Sequence, residues 1–201
     1  CLMAIFPGSA IPSGVTTFTV GQSVRFNLGD SPDLSKTFAS AGDRKKWTYS
    51  CWFKRGNIVT GSYQTFFQPA GGDRAFALVT SVIGDCNIYF IEGGGATYYL
   101  ATAVKLRDPS AWYHLVMYID TAQSTDSNRV KMYLNGEQIT NWSSEVYPAQ
   151  DYESEWNNNV EHNIGEWDAG RYWDGYMAEV CFIDGLALTP TSFGETDEDT
   201  N

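Results

Sequence analysis

Aromatic side chains recur in the polar, turn-rich sequence after residue 140, where burial in a regular strand explains them poorly. Exposed rings of this kind stack on the apolar faces of sugars, while nearby Asn, Asp and Glu side chains hydrogen-bond the hydroxyls. The alternative is that the rings close the open ends of a β-sandwich. Trp173 begins a strand-like run and is assigned to the core. We predict carbohydrate or partner contact at Trp142, Trp156, Trp167, Asp168 and Tyr172.

The carboxylates do not show the pattern of a hydrolase. Asp151, Glu153 and Glu155 alternate, but they do so in a polar segment, and Glu166 with Asp168 has no hydrophobic interleaving. A paired-carboxylate glycosidase needs one acid with a raised pKa in an apolar pocket. We therefore predict a protein that is not an enzyme, with polysaccharide depolymerase activity kept as an alternative.

Nucleophilic and metal-binding patterns are also absent from the sequence. The two histidines, His114 and His162, are far apart and are interpreted as structural, and no serine has a convincing His/Asp pairing. The four cysteines form no CxxC pair, which argues against a zinc site. Cys51 and Cys181 lie in strand-like runs and suit small buried hydrophobes, with a disulfide between them as the alternative.

No cofactor is required by these residues, and calcium is the one ion that we consider. A calcium site takes six to eight oxygen ligands from neighbouring loops, and no EF-hand spacing occurs here. Asp168 is the favoured ligand because it follows an aromatic residue in a loop, whereas Asp174 is expected to form a turn with Gly175. The candidate loops carry Asp30 with Asp33, Asp73, Asp85, and Asp168 with Asp174.

The net charge and the length of the chain limit the classes of partner that we expect it to bind. The chain has 201 residues and a formal net charge of -11, from 24 acidic and 13 basic residues, so it repels phosphate backbones and nucleic acid is not expected. No apolar run approaches the roughly 18 residues that span a membrane, so we expect no membrane insertion. The length suits one all-β domain with a short arm.

The aromatic residues must be positioned by β-strands, which the alternation of apolar and polar residues predicts. The central stretch, 112–139, predicts a strand at 112–120, a second at 130–134, and a tight hairpin turn at Asn135-Gly136. In the run WTYSCWF, residues Trp47, Tyr49, Cys51 and Phe53 share one face. A single helical turn is expected after Thr189-Pro190. Further strands are predicted at 23–28, 63–67, 74–79, 87–92, 98–104, 160–165 and 172–183, with 29–46 as turns and 142–159 as a looser segment.

The segments WYHLVMYID and NRVKMYLNGEQI, followed by HNIG and YWDGYMAEVCFIDGLALTP, resemble the laminin-G-like branch of the concanavalin A-like lectin/glucanase superfamily. The run from SVRFNLGD to CWFKR and the closing FIDGLALTPTSFGETDEDT resemble laminin-G-like domains of bacteriophage tail and fibre proteins. The resemblance covers residues 22–199. It implies an all-β jelly roll of two antiparallel sheets, which binds glycans or proteins through rim loops or a concave face, in some members with calcium.

The resemblance leads to a division of the chain and an expected role. Residues 1–22 are predicted to form an extended arm, which either docks a neighbouring virion subunit or packs on its own domain. Residues 23–194 form the jelly roll, and 195–201 an acidic tail that is solvated or binds a cation or partner. Because the chain begins with Cys1, we interpret it as processed or, preferably, as part of a longer polypeptide.

The expected role is a non-catalytic domain of a phage virion, in a tail fibre or appendage, which faces the exterior and binds host-surface carbohydrate. Many copies on one particle would add avidity. The alternative is a structural or decorating virion protein that holds neighbouring subunits without binding glycan.

Overall fold

The computed structural model describes residues 22–57, 62–71, 75–80, 87–93, 98–167 and 170–194. Residues 1–21 of the predicted arm and the whole acidic tail lie outside these residues, as do Asp73, Asp85 and Asp168. The described chain is built of β-strands with three single-turn 3-10 helices at Leu28–Asp30, Asp126–Asn128 and Pro190–Ser192. The last of these helices confirms the turn expected after Thr189.

Two antiparallel sheets stack face to face in a jelly-roll sandwich, as the resemblance implied. The six-stranded sheet has the order β1-β13-β3-β8-β9-β10, and the seven-stranded sheet has the order β11-β7-β6-β5-β4-β12-β2. The strands are β1 Val24–Phe26, β2 Leu34–Thr37, β3 Lys46–Arg55, β4 Ser62–Pro69, β5 Ala75–Thr80, β6 Asn87–Glu92, β7 Tyr98–Thr102, β8 Trp112–Asp120, β9 Val130–Leu134, β10 Glu137–Gln138, β11 Trp142–Val146, β12 Glu161–Ile164 and β13 Gly175–Asp184.

Alternation along β3 builds the centre of the core. Trp47, Tyr49, Cys51 and Phe53 are all buried, and their side chains face the second sheet, as the sequence predicted. Successive side chains of a strand point to opposite faces, so this one alternating run buries three aromatic rings in one layer. Trp173 is also fully buried, which confirms its assignment to the core.

The Asn135-Gly136 turn joins β9 to β10. Both residues have positive φ, at 51° and 87°, which is the conformation that a two-residue type I′ hairpin requires. The side-chain oxygen of Asn135 also accepts a hydrogen bond from the backbone N–H of His114 at 2.9 Å. The turn therefore fixes β10 at the edge of its sheet and ties it back to β8.

Two strands were missed by the sequence prediction. Strand β2, within the predicted turns at 29–46, pairs with β12, and β11, within the predicted loose segment, pairs with β7. Each is the outermost strand of the seven-stranded sheet, and most of their side chains are exposed. An edge strand has little hydrophobic alternation because only its backbone hydrogen bonds hold it to the sheet.

The expected burial of the cysteines is confirmed for Cys51, and the alternative disulfide with Cys181 is wrong because both thiols are free. A bulge in β13 with Glu179 at φ 50° brings Cys181 opposite Ser50, while Cys51 points into the core. Burial raises the pKa of Cys51 to about 12. This thiol is therefore protonated and unreactive.

Both histidines are buried structural residues, as predicted. His162 accepts the backbone N–H of Asn157 at Nε2 (3.2 Å), and its Nδ1 lies 2.9 Å from the carbonyl of Val160. His114 stacks on Trp52 and lies 3.0 Å from the Ser50 hydroxyl, a pairing that the sequence did not reveal.

The Ser50–His114 pair is not a nucleophile and base available to a substrate. Ser50 is 2% and His114 is 8% exposed. Phe193, from the C-terminal segment, contacts the histidine ring edge-on. Within the described residues no carboxylate hydrogen-bonds this ring to orient it, as a catalytic triad requires.

We expect the free energy of unfolding to fall by about 1–2 kcal/mol between pH 6.5 and pH 4, because burial lowers the pKa of His114 to about 4 and lowers that of His162. The unfolded chain protonates first in this window, so stability is fully present above pH 6.5 and decreases as the pH falls. Urea titrations at several pH values measure the slope. His114→Gln should reduce it, and an unchanged slope would contradict the assignment.

Candidate functional site

An aromatic patch covers the outer surface of the seven-stranded sheet. In β6, Ile88 and Phe90 point into the core, so the alternating Tyr89 and Ile91 face outward. The register pairs Ile91 with Tyr99 of β7. We name this patch the aromatic face, and its residues are Tyr63, Tyr89, Ile91, Tyr99 and Trp167.

The rings of the aromatic face are held by one another. Tyr89 and Tyr99 lie nearly parallel, with ring centroids 6.0 Å apart and an interplanar angle of 10°. Tyr63 meets Trp167 edge-on at 5.0 Å, and Tyr89 edge-on at 6.4 Å. Each tyrosine is half-buried, so it keeps accessible surface while packing restricts its rotation. Such a preorganised surface loses little side-chain entropy when it binds a ligand.

Trp167 reaches the aromatic face from the connection between β12 and β13. Its backbone N–H and carbonyl both pair with Arg171, at 3.1 Å each, which closes a narrow loop. The Arg171 guanidinium carbon lies 4.2 Å above the Trp167 ring and 5.4 Å from the Tyr63 ring. Trp167 is only 4% exposed, so it acts mainly as the support on which Arg171 and Tyr63 are placed.

The tyrosines of the aromatic face bring hydroxyl groups to it, and the Tyr89 hydroxyl keeps its proton. Burial raises the pKa of Tyr89, and the neighbouring Tyr63 and Tyr99 add to the increase. The Ser144 hydroxyl donates a hydrogen bond to the Tyr99 hydroxyl at 2.9 Å. Neutral phenols both donate and accept hydrogen bonds, which matches the hydroxyl groups of a sugar.

The prediction that Trp156 contacts a ligand is wrong. It is fully buried and stacks on Trp47 at 5.3 Å, and it also contacts Phe67 and Phe90. Its side chain therefore closes one end of the sandwich, which was the alternative interpretation of these tryptophans. A ring without exposed surface cannot contact a ligand, so we remove it from the candidate site.

The other predicted contact residues do not form one cluster. Trp142 is half-buried on the edge strand β11 and lines a separate cleft. Tyr172 is half-buried in the segment that leads from the Trp167 loop into β13. Asp168 lies outside the described residues, so its role in carbohydrate contact or calcium binding stays a prediction.

Most of the acidic residues considered for catalysis make ion pairs. Arg44 binds Glu155 at 2.9 Å and Glu153 at 3.6 Å, and Lys45 lies 3.3 Å from Asp151. Glu166 accepts a hydrogen bond from the Asn163 amide at 2.8 Å. These carboxylates therefore have structural partners at the sandwich surface.

Asp174 is a buried structural carboxylate, and the turn expected with Gly175 is absent because β13 already begins at Gly175. It accepts the backbone N–H of Asn57 at 2.8 Å and lies 3.3 Å from Arg25. Among the described residues, no group of three or more His, Cys, Asp or Glu side chains is placed to hold a metal ion.

The tyrosines of the aromatic face were not among the predicted contact residues. The predicted contacts lie in loop-like sequence, whereas Tyr63, Tyr89 and Tyr99 lie in strands. The alternating pattern of β6 could have predicted one of them. In the run NIYFIE, the residues that alternate with Ile88 and Phe90 must face outward, and one of these is Tyr89. What the sequence lacks is the sheet order that brings β4, β6, β7 and the Trp167 loop together.

Comparison with protein families identifies this fold. A family model described as concanavalin A-like lectin/glucanases superfamily, of the laminin G type, matches residues 21–192. The chain belongs to this laminin G family. A search of curated proteins found no match. Within the described residues, no helix has both the length and the apolar character needed to cross a bilayer.

Solved structures share the fold at low sequence identity. Domain 4 of AbnA, an extracellular arabinanase of Geobacillus stearothermophilus solved with arabinotriose, aligns with a TM-score of 0.59 and 21% identity over 89% of this chain and 79% of that one. Tailspike protein 2 of an Escherichia coli O157:H7 bacteriophage aligns at 0.61 and 16%, over 83% of this chain and 23% of the tailspike. Mouse laminin α1 domains LG4-5 align at 0.52 and 10%, over 80% and 40%.

Proposed function

We propose that this laminin G domain binds host-surface carbohydrate as a non-catalytic part of a bacteriophage virion, in a tail fibre or similar appendage. The observation that carries the proposal is the aromatic face, where three tyrosines and one tryptophan are packed side by side on the outside of a sheet. The three tyrosine rings are held in place and only half-buried, so they provide flat apolar surface for sugar rings.

The structural relatives support the class of ligand and the setting. The arabinanase domain was solved with arabinotriose, and the tailspike belongs to a bacteriophage. Folds host many functions, so the likeness supports the proposal only together with the aromatic face. The ion pairs of Glu153 and Glu155 with Arg44 support a domain that binds without hydrolysis.

The test is binding of the purified domain to arabinotriose and to a panel of purified bacterial capsular and O-antigen polysaccharides, measured by calorimetry. Saturable binding to a member of the panel, without release of reducing sugar, is expected. Binding that survives EDTA would show that calcium is not needed, whereas its loss would show that a metal takes part. No binding by a folded, multimerised domain would favour the structural role in the virion.

Removing the parallel tyrosine pair should weaken binding tenfold or more. We expect this of the double variant Tyr89→Ala with Tyr99→Ala, because it deletes the centre of the aromatic face. A matched control exists on the other sheet, where the rings of Tyr118 and Tyr133 lie 6.3 Å apart. The double alanine variant of that pair should keep full affinity for the glycan. An equal loss of affinity in both double variants would contradict the location of the glycan site on the aromatic face.

A further inference from the structure

A cleft lies at the open edge of the sandwich, between the end strands of the two sheets. Strands β9 and β10 form one wall, and β11 with the residues that follow it forms the other. We name it the edge cleft, and its volume is about 220 Å³. Its lining is mixed, with apolar, hydroxyl, amide and charged side chains, and includes Asn128, Lys131, Gln138, Trp142, Glu145 and Tyr147.

Trp142 and Tyr147 give the edge cleft its apolar surface. Both rings pack against the hydrophobic core and both are half-buried, so one part of each is fixed and another part is accessible. Val130 and Ile139 lie beneath them, and both are buried. The apolar part of the cleft is therefore bounded by the core itself, whereas the polar side chains of Gln138 and Glu145 are exposed.

Glu145 gives the edge cleft an oriented hydrogen-bond acceptor. The Tyr147 hydroxyl donates a hydrogen bond to Glu145 Oε2 at 2.9 Å. Burial raises the pKa of Tyr147 well above its ordinary value, and the bond to Glu145 raises it further, so the phenol keeps its proton. This bond engages one carboxylate oxygen, and the second, Oε1, can accept a hydrogen bond from a ligand.

We infer that the edge cleft binds a single uncharged sugar ring, as the terminal or branch residue of a polysaccharide. An aromatic surface beside a carboxylate and several amide and hydroxyl groups suits the apolar face and hydroxyl rim of one sugar. The volume is below the 300–1,000 Å³ typical of pockets for drug-sized ligands, so it suits one ring and not an extended chain.

The ligand is uncharged because the cleft offers no surplus of cations. Lys131 and Glu145 are the two charged residues among those that line it, and their charges cancel. Asp126 also lies close enough to Tyr147 to add to the rise in its pKa. An acidic sugar would thus meet two carboxylates, in a chain whose net charge is already -11.

Strand β11 contributes residues to the edge cleft and also contacts the aromatic face. Ser144 of this strand bonds Tyr99 on the outer surface, whereas Trp142 and Glu145 point to the inner side. A polysaccharide whose main chain lies on the aromatic face can therefore place a branch sugar around the edge strand and into the cleft. This inference rests on the proposed carbohydrate binding for its class of ligand.

Side-chain NMR separates the two sites in one experiment. The indole N–H signals of Trp142 and Trp167 are assigned by their loss in Trp142→Phe and Trp167→Phe. Methyl glycosides of glucose, galactose, mannose and N-acetylglucosamine are then titrated into the unmodified domain. Arabinotriose and the polysaccharides that bind are titrated last. A saturable shift of the Trp142 signal by a methyl glycoside supports the cleft. Ligand shifts confined to Trp167 overturn the cleft and leave the proposed function standing. No shift at either residue overturns both.

Glu145→Gln tests the chemistry of the cleft. The variant keeps the size of the side chain but replaces the charged carboxylate with a neutral amide, which is a weaker hydrogen-bond acceptor. The affinity for the glycoside that binds should therefore fall tenfold or more. Glu137→Gln is the matched control, because Glu137 lies exposed on the neighbouring strand β10 and does not line the cleft. Binding should be unchanged in the control. Equal affinity in Glu145→Gln and the unmodified domain would overturn the assignment.

Discussion

Replacement of Trp156 by alanine should reduce the free energy of unfolding by about 3–5 kcal/mol, the range for a buried Trp or Phe truncated to Ala. The ring is fully buried between the two sheets, where it stacks on Trp47 and touches Phe67 and Phe90. Domains of this kind have stabilities of roughly 5–15 kcal/mol, so the variant loses a large part of the total. Urea denaturation followed by fluorescence measures the change.

Trp156→Phe provides the graded comparison. It keeps an aromatic ring against Trp47 and leaves a smaller cavity, so we expect a smaller loss of stability than in Trp156→Ala. Glycan affinity of the folded Trp156→Phe variant should equal that of the unmodified domain. A normal free energy of unfolding combined with lost glycan binding in this variant would instead return Trp156 to the contact residues.

Replacement of Gly175 by alanine should cost about 3–5 kcal/mol, through a different mechanism. Gly175 has φ +144°, and a Cβ there would lie 2.2 Å from the Lys54 carbonyl oxygen and 2.8 Å from the Gly56 nitrogen. These are backbone atoms of β3 and its end, and Gly175 also pairs with Phe26 of β1. Neither neighbour moves without breaking hydrogen bonds that hold the ends of three paired strands together. Chemical denaturation measures the loss.

Gly185 is the control for the backbone angle alone. Its φ is +72°, and a Cβ at this position would meet no atom within 4 Å. Gly185→Ala should therefore cost about 1–2 kcal/mol, the penalty of a left-handed conformation for a residue with a Cβ. Similar losses in Gly185→Ala and Gly175→Ala would show that contact with β3 contributes little.

Several elements were predictable from sequence because a local rule determines them. The run containing Trp47, Tyr49 and Cys51 alternates, and alternation fixes the buried face whichever strand becomes the neighbour. Asn135-Gly136 carries its hairpin geometry in its own backbone preferences. The edge strands β2 and β11 were not predictable, because their exposed side chains carry no burial signal and distant partners, β12 and β7, define them.

The all-β class, the main strands and the family were predictable from residue order alone, because they depend on periodicity and turn chemistry. The accessibility of the aromatic residues was not, because it depends on how distant strands pack. Trp156 and Trp167 occupy similar polar sequence, but one closes the core and the other supports Tyr63 on an outer face. Burial of a loop side chain depends on which strands meet beneath it, and sheet order is a long-range property that local composition does not encode.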